Sequence, residues 1–230
     1  MYDATKIELR PNVPPAAAAG ARKDLAGYYA NCTALDQYIG QLVEALKSAG
    51  IEENTILVFT SDHGDMIGAH QMGRKQKPWD EALRVPMLWH YPAALGAAGK
   101  RVDAVISSED LMPTLLGFCG VEIPKSVEGL DYSAYMRGSA QNPNVGNAAL
   151  ISCVAPFGEW NRKAGGREFR GVRTDRYTYV RDLNGPWLLY DNQTDPYQMA
   201  NLVGTPAAAE VQAKLDTLSG QRRGRGWPKS

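Results

Sequence analysis

Apolar residues recur at Tyr28, Cys32, Leu35, Ile39, Leu42, Val43 and Leu46. Steps of three and four place them on one face of a helix. Gly50 follows where a left-handed residue ends a helix. The pattern therefore predicts a helix over about 25–49. The period then changes: Ile56, Leu57, Val58 and Phe59 are consecutive apolar residues between Thr55 and Thr60. Such a run suits a strand covered on both faces, as in a parallel sheet between helices. Arg84 to Trp89 gives a second strand, with Pro86 near its start. Ser107, Ser108, Glu109 and Asp110 then supply an N-cap and first-turn acids for a helix through Leu116 and Phe118, stopped by Gly120. Helix, strand, strand, helix in that order predicts an α/β layered domain.

Either side of this block the grammar is different. Residues 1–24 are rich in Pro and Ala and read as an irregular lead-in. Residues 121–148 hold Pro124, Gly129, Gly138, Pro143 and Gly146 and read as a long connection. Beyond it, Ala149–Cys153, Phe169–Arg173, Tyr177–Arg181 and Trp187–Tyr190 are short strand candidates separated by turn residues. Several alternate apolar and polar, as an antiparallel sheet with one wet face requires. A helix over about 206–219 follows, then a basic tail. The expected organisation is a lead-in (1–24), an α/β portion (25–148), a small α+β subdomain (149–220) and a flexible tail (221–230).

Composition narrows function more than fold. Basic and acidic residues both number 25, so no net field points toward nucleic acid or an anionic membrane. Arg222, Arg223 and Arg225 form only a short basic tail. No apolar run has the length needed to span a bilayer. Cys32, Cys119 and Cys153 are scattered and odd in number, poor material for a disulfide framework or a zinc site.

The chemistry-bearing residues sit where the first predicted strand ends, at Ser61-Asp62-His63-Gly64-Asp65. Strand ends of α/β sheets gather functional groups. Asp62 and His63 can present a hard oxygen and an imidazole to one cation, although calcium or magnesium needs about six or more ligands. Spacing alone equally fits an ordinary Asp-Gly turn with His63 as bystander. Downstream, Arg74, Lys75 and Lys77 add positive charge, followed by Asp80 and Glu81. A solvated loop with local ion pairs accounts for these too.

The whole run TILVFTSDHGDMIGAHQMGRKQKPWDEALRVPMLWHYP resembles the C-terminal motif block of the sulfatases, members of the alkaline-phosphatase-like superfamily. Strand, S-D-[HN]-G, G-x-H, a lysine, an acidic stretch and R-V-P follow in order. The likeness continues upstream in GYYANCTALDQYIGQLVEALKSAGI and downstream in SSEDLMPTLLGFCGVEIP and GVRTDRYTYVRDLNGPWLLYDNQTDPYQMANL. It implies a layered α/β sheet flanked by helices, with a small antiparallel sheet and helix after it. It also implies sulfate ester hydrolysis, on a sulfated small molecule or carbohydrate.

Residue by residue, the resemblance makes Asp62 a ligand of a divalent cation, usually Ca²⁺, with Mg²⁺ the alternative. His63 binds that metal or reaches the reacting centre, and Lys75 contacts the sulfate, with Lys77 a less favoured substitute. His70 matches a loop histidine that is structural or touches substrate. Asp65 is expected to serve the turn, and Glu81 and Arg84 are expected to pair and hold the loop. The family's nucleophile is a formylglycine made from Cys or Ser in C/S-x-P-x-R, and no such motif occurs here; Cys153-Val-Ala-Pro-Phe lacks both the spacing and the arginine. Met1 is therefore expected to be an internal start or a truncation, and the chain to be inactive alone. Two rivals stand beside this expectation: a phosphonate monoester hydrolase or phosphodiesterase of the same superfamily, and a non-catalytic binding or assembly protein.

Overall fold

The computed structural model describes residues 1–221, so the basic tail beyond them lies outside the described residues. The chain divides into two compact units, 1–100 and 101–230. This division falls well before the change of grammar at 148–149.

In the first unit, Pro15–Ala17 form a 3-10 turn that runs directly into α1, Ala18–Ser48. The helix begins seven residues before the predicted start at about 25 and ten before the first periodic residue, Tyr28. Pro15 is pre-set for a helical first turn, and the alanines after it have the highest helix propensity. The lead-in is irregular only up to that point. Ala49 caps the helix, and Gly50 is left-handed at φ 68°. Of the whole helix only Ala21 is buried, while Tyr28, Leu35, Tyr38 and Leu42 are exposed.

Strand β1, Leu57–Thr60, is followed by the single turn α2, Asp80–Leu83, and by β2, Met87–His90. The two strands pair antiparallel, Leu57 opposite His90 and Thr60 opposite Met87. The expected parallel partner for this strand is not what the described residues provide. A parallel return needs a crossover, usually a helix of several turns, and the segment between β1 and β2 holds only α2 and a 3-10 turn. The last element of this unit is α3, Pro92–Leu95, with Pro92 in its first turn.

In the second unit, Ser107 and Asp110 form the expected capping box ahead of α4, Leu111–Cys119. Asp110 is buried, accepting from Ser107 N at 2.9 Å and Leu130 N at 2.7 Å. Gly120 ends α4 in the left-handed region, φ 67°. The connection over 121–148 contains a helical turn of its own, α5, Ser133–Arg137. Then β3 (Ala148–Cys153), β4 (Phe169–Thr174), β5 (Tyr177–Asp182) and β6 (Gly185–Asp191) make an antiparallel sheet in sequence order. Helix α6, Ala209–Gln221, covers it.

Val172, Tyr179 and Leu189 from the strands meet Ala208 and Leu215 in one buried cluster. Trp160 is buried against Phe169, ring centroids 6.1 Å apart, so it belongs to packing. Arg176 grips Asp191 with three hydrogen bonds of 2.6–3.1 Å, which hold the Asp191 carboxyl below the usual carboxylate range. Among the described residues no helix is long and apolar enough to cross a membrane.

Two outcomes follow from this packing. Leu189 is fully buried, and Leu189→Ala should cost roughly 2–5 kcal/mol in urea unfolding. A depressed carboxylate contributes stability above its unfolded pKa of about 4, and that contribution fades as pH falls through the lower folded value. The stability advantage of wild type over Asp191→Asn should therefore shrink below about pH 4 in pH-resolved melting.

Candidate metal and anion site

The end of β1 is shaped by local hydrogen bonds. The Asp62 carboxylate accepts from His63 N at 3.0 Å, and Ser61 Oγ donates to the His63 carbonyl at 2.9 Å. Partial desolvation opposes ionisation of Asp62. Its own and His63's backbone N–H groups, the His63 charge and the Ser61 hydroxyl outweigh that and hold the carboxyl below its ordinary range. The side chain is 83% exposed.

His63 Nδ1 lies 2.8 Å from the Gly64 carbonyl. A carbonyl can only accept, so Nδ1 carries the proton. In the neutral ring, Nε2 then presents a lone pair, and it lies 3.4 Å from Asp62 Oδ2. With the ring neutral, both atoms offer lone pairs to a shared cation; with the ring protonated, the same contact is the ion pair that lowers Asp62. The pair supplies two ligands, and among the described residues no group of three or more His, Cys, Asp or Glu could hold a metal. A calcium shell needs about six to eight.

Gly64 does not occupy the left-handed region. A Cβ there would lie 1.9 Å from the Glu81 carbonyl oxygen, because Gly64 N donates to Ala82 O at 2.9 Å. The glycine is needed for close approach of the strand end to α2, rather than for a sharp turn.

The loop after Gly64 is closed by one carboxylate oxygen. Asp65 Oδ1 accepts from Ile67 N at 3.0 Å and from Arg74 N at 2.9 Å, and Met66 N donates to Arg74 O at 3.0 Å. Inside this closure Ile67, His70, Gln71 and Arg74 all take positive φ, as does Gln76 just beyond it. Lys75 is half-buried between Arg74 (φ 64°) and Gln76 (φ 72°). Its ammonium has no hydrogen-bond or ion-pair partner among the described residues. Lys77 is only 5% exposed and donates to the Lys75 carbonyl at 3.0 Å. Lys77 thus supports the loop backbone from within.

His70 is held from an unexpected direction. Its N–H donates to Asn12 O at 2.7 Å, its Nε2 lies 3.2 Å from Asn12 Nδ2, and its ring packs on Trp79 with centroids 5.3 Å apart. Asn12 Nδ2 also donates to Glu81 Oε1 at 2.7 Å, and Arg10 pairs with the same oxygen at 3.3 Å. Glu81 therefore pairs with Arg10, not with Arg84; Arg84 instead reaches Asp80 at 3.7 Å, one helical turn back. Arg10 and Asn12 lie in the segment read as irregular lead-in, where neither periodicity nor a motif singles them out.

The structure thus brings Asp62 and His63 into contact and places Lys75 and His70 on one closed loop. Cys153 stands apart at the end of β3, where burial pushes its thiol up. That disfavours the thiolate form a nucleophile requires.

Residues 3–121 match the sulfatase family model, and residues 68–223 match the model for the C-terminal part of N-sulphoglucosamine sulphohydrolase. An ulvan-active sulfatase of Formosa agariphila is 42% identical over 221 residues, covering 94% of this chain and 42% of that protein. A protein solved with its substrate D-glucosamine-2-N,6-O-disulfate superposes with a TM-score of 0.80 at 28% identity, over 92% of this chain and 42% of that one. The phosphonate monoester hydrolase of Agrobacterium radiobacter gives 0.75 at 28%, over 89% and 42%. The chain spans about two fifths of the length of these relatives, 42% in each case.

The tight approach at Gly64 yields a direct check. Gly64→Ala should destabilise the chain by roughly 1–3 kcal/mol in urea unfolding. Gly73→Ala in the same loop, where a Cβ meets nothing within 4 Å, should be close to neutral.

Proposed function

Because the chain belongs to the sulfatase family, whose model it matches over residues 3–121, we propose that it carries the cation- and sulfate-binding portion of a sulfuric ester hydrolase. One observation supports this most: His63 Nε2 and the Asp62 carboxylate converge at 3.4 Å, with the Lys75 ammonium, which has no partner among the described residues, on the loop that follows. Asp62 and His63 would hold a divalent cation, Ca²⁺ in preference to Mg²⁺. A larger, adaptable shell tolerates ligands contributed from several segments. Once bound, the cation polarises the oxygens of a sulfate group.

The chain's own residues do the rest. The backbone amide of His63 fixes the carboxylate, Ser61 Oγ ties down the His63 carbonyl, and the Gly64 carbonyl fixes the imidazole tautomer. Lys75 then neutralises charge building on the sulfuryl group or the leaving oxygen, the kind of preorganised contact that contributes most to such reactions. The nucleophile, a formylglycine in this family, has no counterpart here. The 230-residue chain should therefore not turn over by itself. The substrate class is a sulfated small molecule or carbohydrate, which the solved relative bound to a glucosamine disulfate supports.

A test needs the complete enzyme. Lys75→Ala there should lower kcat/KM for a sulfate ester by about 10²–10³-fold, and Asp62→Ala should abolish the dependence on added Ca²⁺. Phosphonate esters assayed alongside address the rival family. Faster turnover of the phosphonate would move the assignment there, and so would unchanged kinetics in both variants rule against these roles. Aryl sulfate hydrolysis at an ordinary enzymatic rate by the 230-residue chain would overturn the claim that it lacks its nucleophile.

A further inference from the structure

Arg10, Glu81, Asn12 and His70 form a line of contacts whose proton positions follow from elementary chemistry. Glu81 Oε1 has the Arg10 guanidinium, which can only donate, at 3.3 Å, so this oxygen acts as an acceptor. The Asn12 side chain meets Glu81 Oε1 at 2.7 Å, so it is the NH₂ group, not the amide oxygen, that faces the carboxylate. That nitrogen has two hydrogens. Its second neighbour is His70 Nε2, at 3.2 Å. An NH₂ group cannot accept, so Nε2 must be the acceptor.

We propose that Asn12 is a positioning residue that locks His70 as a neutral imidazole protonated at Nδ1, with the Glu81 carboxylate dictating which way Asn12 points. A free imidazole in water favours the opposite tautomer, with the proton on Nε2. The surroundings are built for the lock. Asn12 is 6% exposed, the His70 backbone N–H donates to the Asn12 backbone carbonyl at 2.7 Å, and Trp79 covers the ring with centroids 5.3 Å apart. His70 itself is left-handed, φ 52°, a conformation that costs energy for a residue with a Cβ and persists only when its surroundings fix it.

The lock has a consequence for the loop. Protonating His70 at Nε2 would set an N–H against the Asn12 N–H, so the ring holds the loop without adding charge to it. His70 thereby becomes a support for the loop that carries Lys75, not a second cation for an anion. The lock stands on this geometry alone; only its benefit to Lys75 rests on the sulfatase reading.

The readout is a long-range ¹⁵N–¹H correlation spectrum of the histidine rings in the 230-residue chain at neutral pH. The chain has three histidines, so assignment by single His→Gln variants is direct. Wild type should show His70 with Nδ1 protonated and Nε2 in the unprotonated range. Glu81→Gln keeps the shape but offers an amide that can donate, which frees Asn12 to turn its oxygen toward His70. That variant should move His70 toward the Nε2-protonated tautomer. Asn12→Asp, which presents acceptors only, should do the same.

A wild-type His70 found Nε2-protonated or as imidazolium overturns the proposal. So does a His70 pattern that stays as in wild type in both Glu81→Gln and Asn12→Asp. Should Asn12→Asp fail to fold beside Glu81, the isosteric Glu81→Gln carries the decision. No substrate is involved, so a negative result leaves the sulfatase reading standing, and loss of that reading leaves the lock standing.

Discussion

The site depends on how a thirteen-residue excursion is closed, from Asp65 to Lys77. A loop of this kind has no ladder of backbone hydrogen bonds, and several of its residues sit at positive φ. Asp65 Oδ1 solves the problem by accepting from Ile67 N and Arg74 N together, tying the start of the loop to its far side. Met66 buries its side chain and adds a backbone bond to Arg74 O. Once these ends are joined, His70 and Lys75 have little freedom in where their backbones run. Without that closure, the left-handed residues inside would relax, since each alone is unfavourable.

Where the sequence could be read, the determinants were local. The capping box of Ser107 and Asp110, the stop at Gly120 and the four strands from Ala148 to Asp191 lie within a few residues of their own signals. Strand alternation and turn residues sufficed for them. The residues proposed for the site, Asp62, His63, Lys75 and His70, are singled out only by ordered resemblance, since spacing alone leaves a plain turn and a solvated loop equally open.

What could not be read was long-range. A continuous apolar run says that a strand has neighbours on both faces, but not which way its partner runs; β1 and β2 turned out antiparallel. Helical periodicity shows which face of α1 is apolar, not what covers it, and Tyr28, Leu35 and Leu42 are exposed. Glu81 was expected to choose Arg84, three residues away. Its carboxylate instead meets Arg10 and Asn12, about seventy positions earlier, and the exposed Arg84 pairs with the partly buried Asp80. No pattern in a single sequence announces a partner at that separation.

The basic residues of the loop are used differently, and that difference is what makes the charged segment a candidate site. Lys77 is buried and directs its ammonium at the Lys75 carbonyl, so its charge goes into fixing backbone. His70 faces the NH₂ group of Asn12, which only donates, so its ring is held without a charge. Lys75 alone of these three combines partial burial with an ammonium that has no partner among the described residues. A half-buried cation interacts more strongly with an anion than a solvated one, because the effective dielectric falls and salt screens it less. A loop carrying the same residues with their charges solvated would attract anions diffusely. On the reading proposed above, Lys75 offers that attraction at one partly buried ammonium, on the segment that follows the Asp62 and His63 pair.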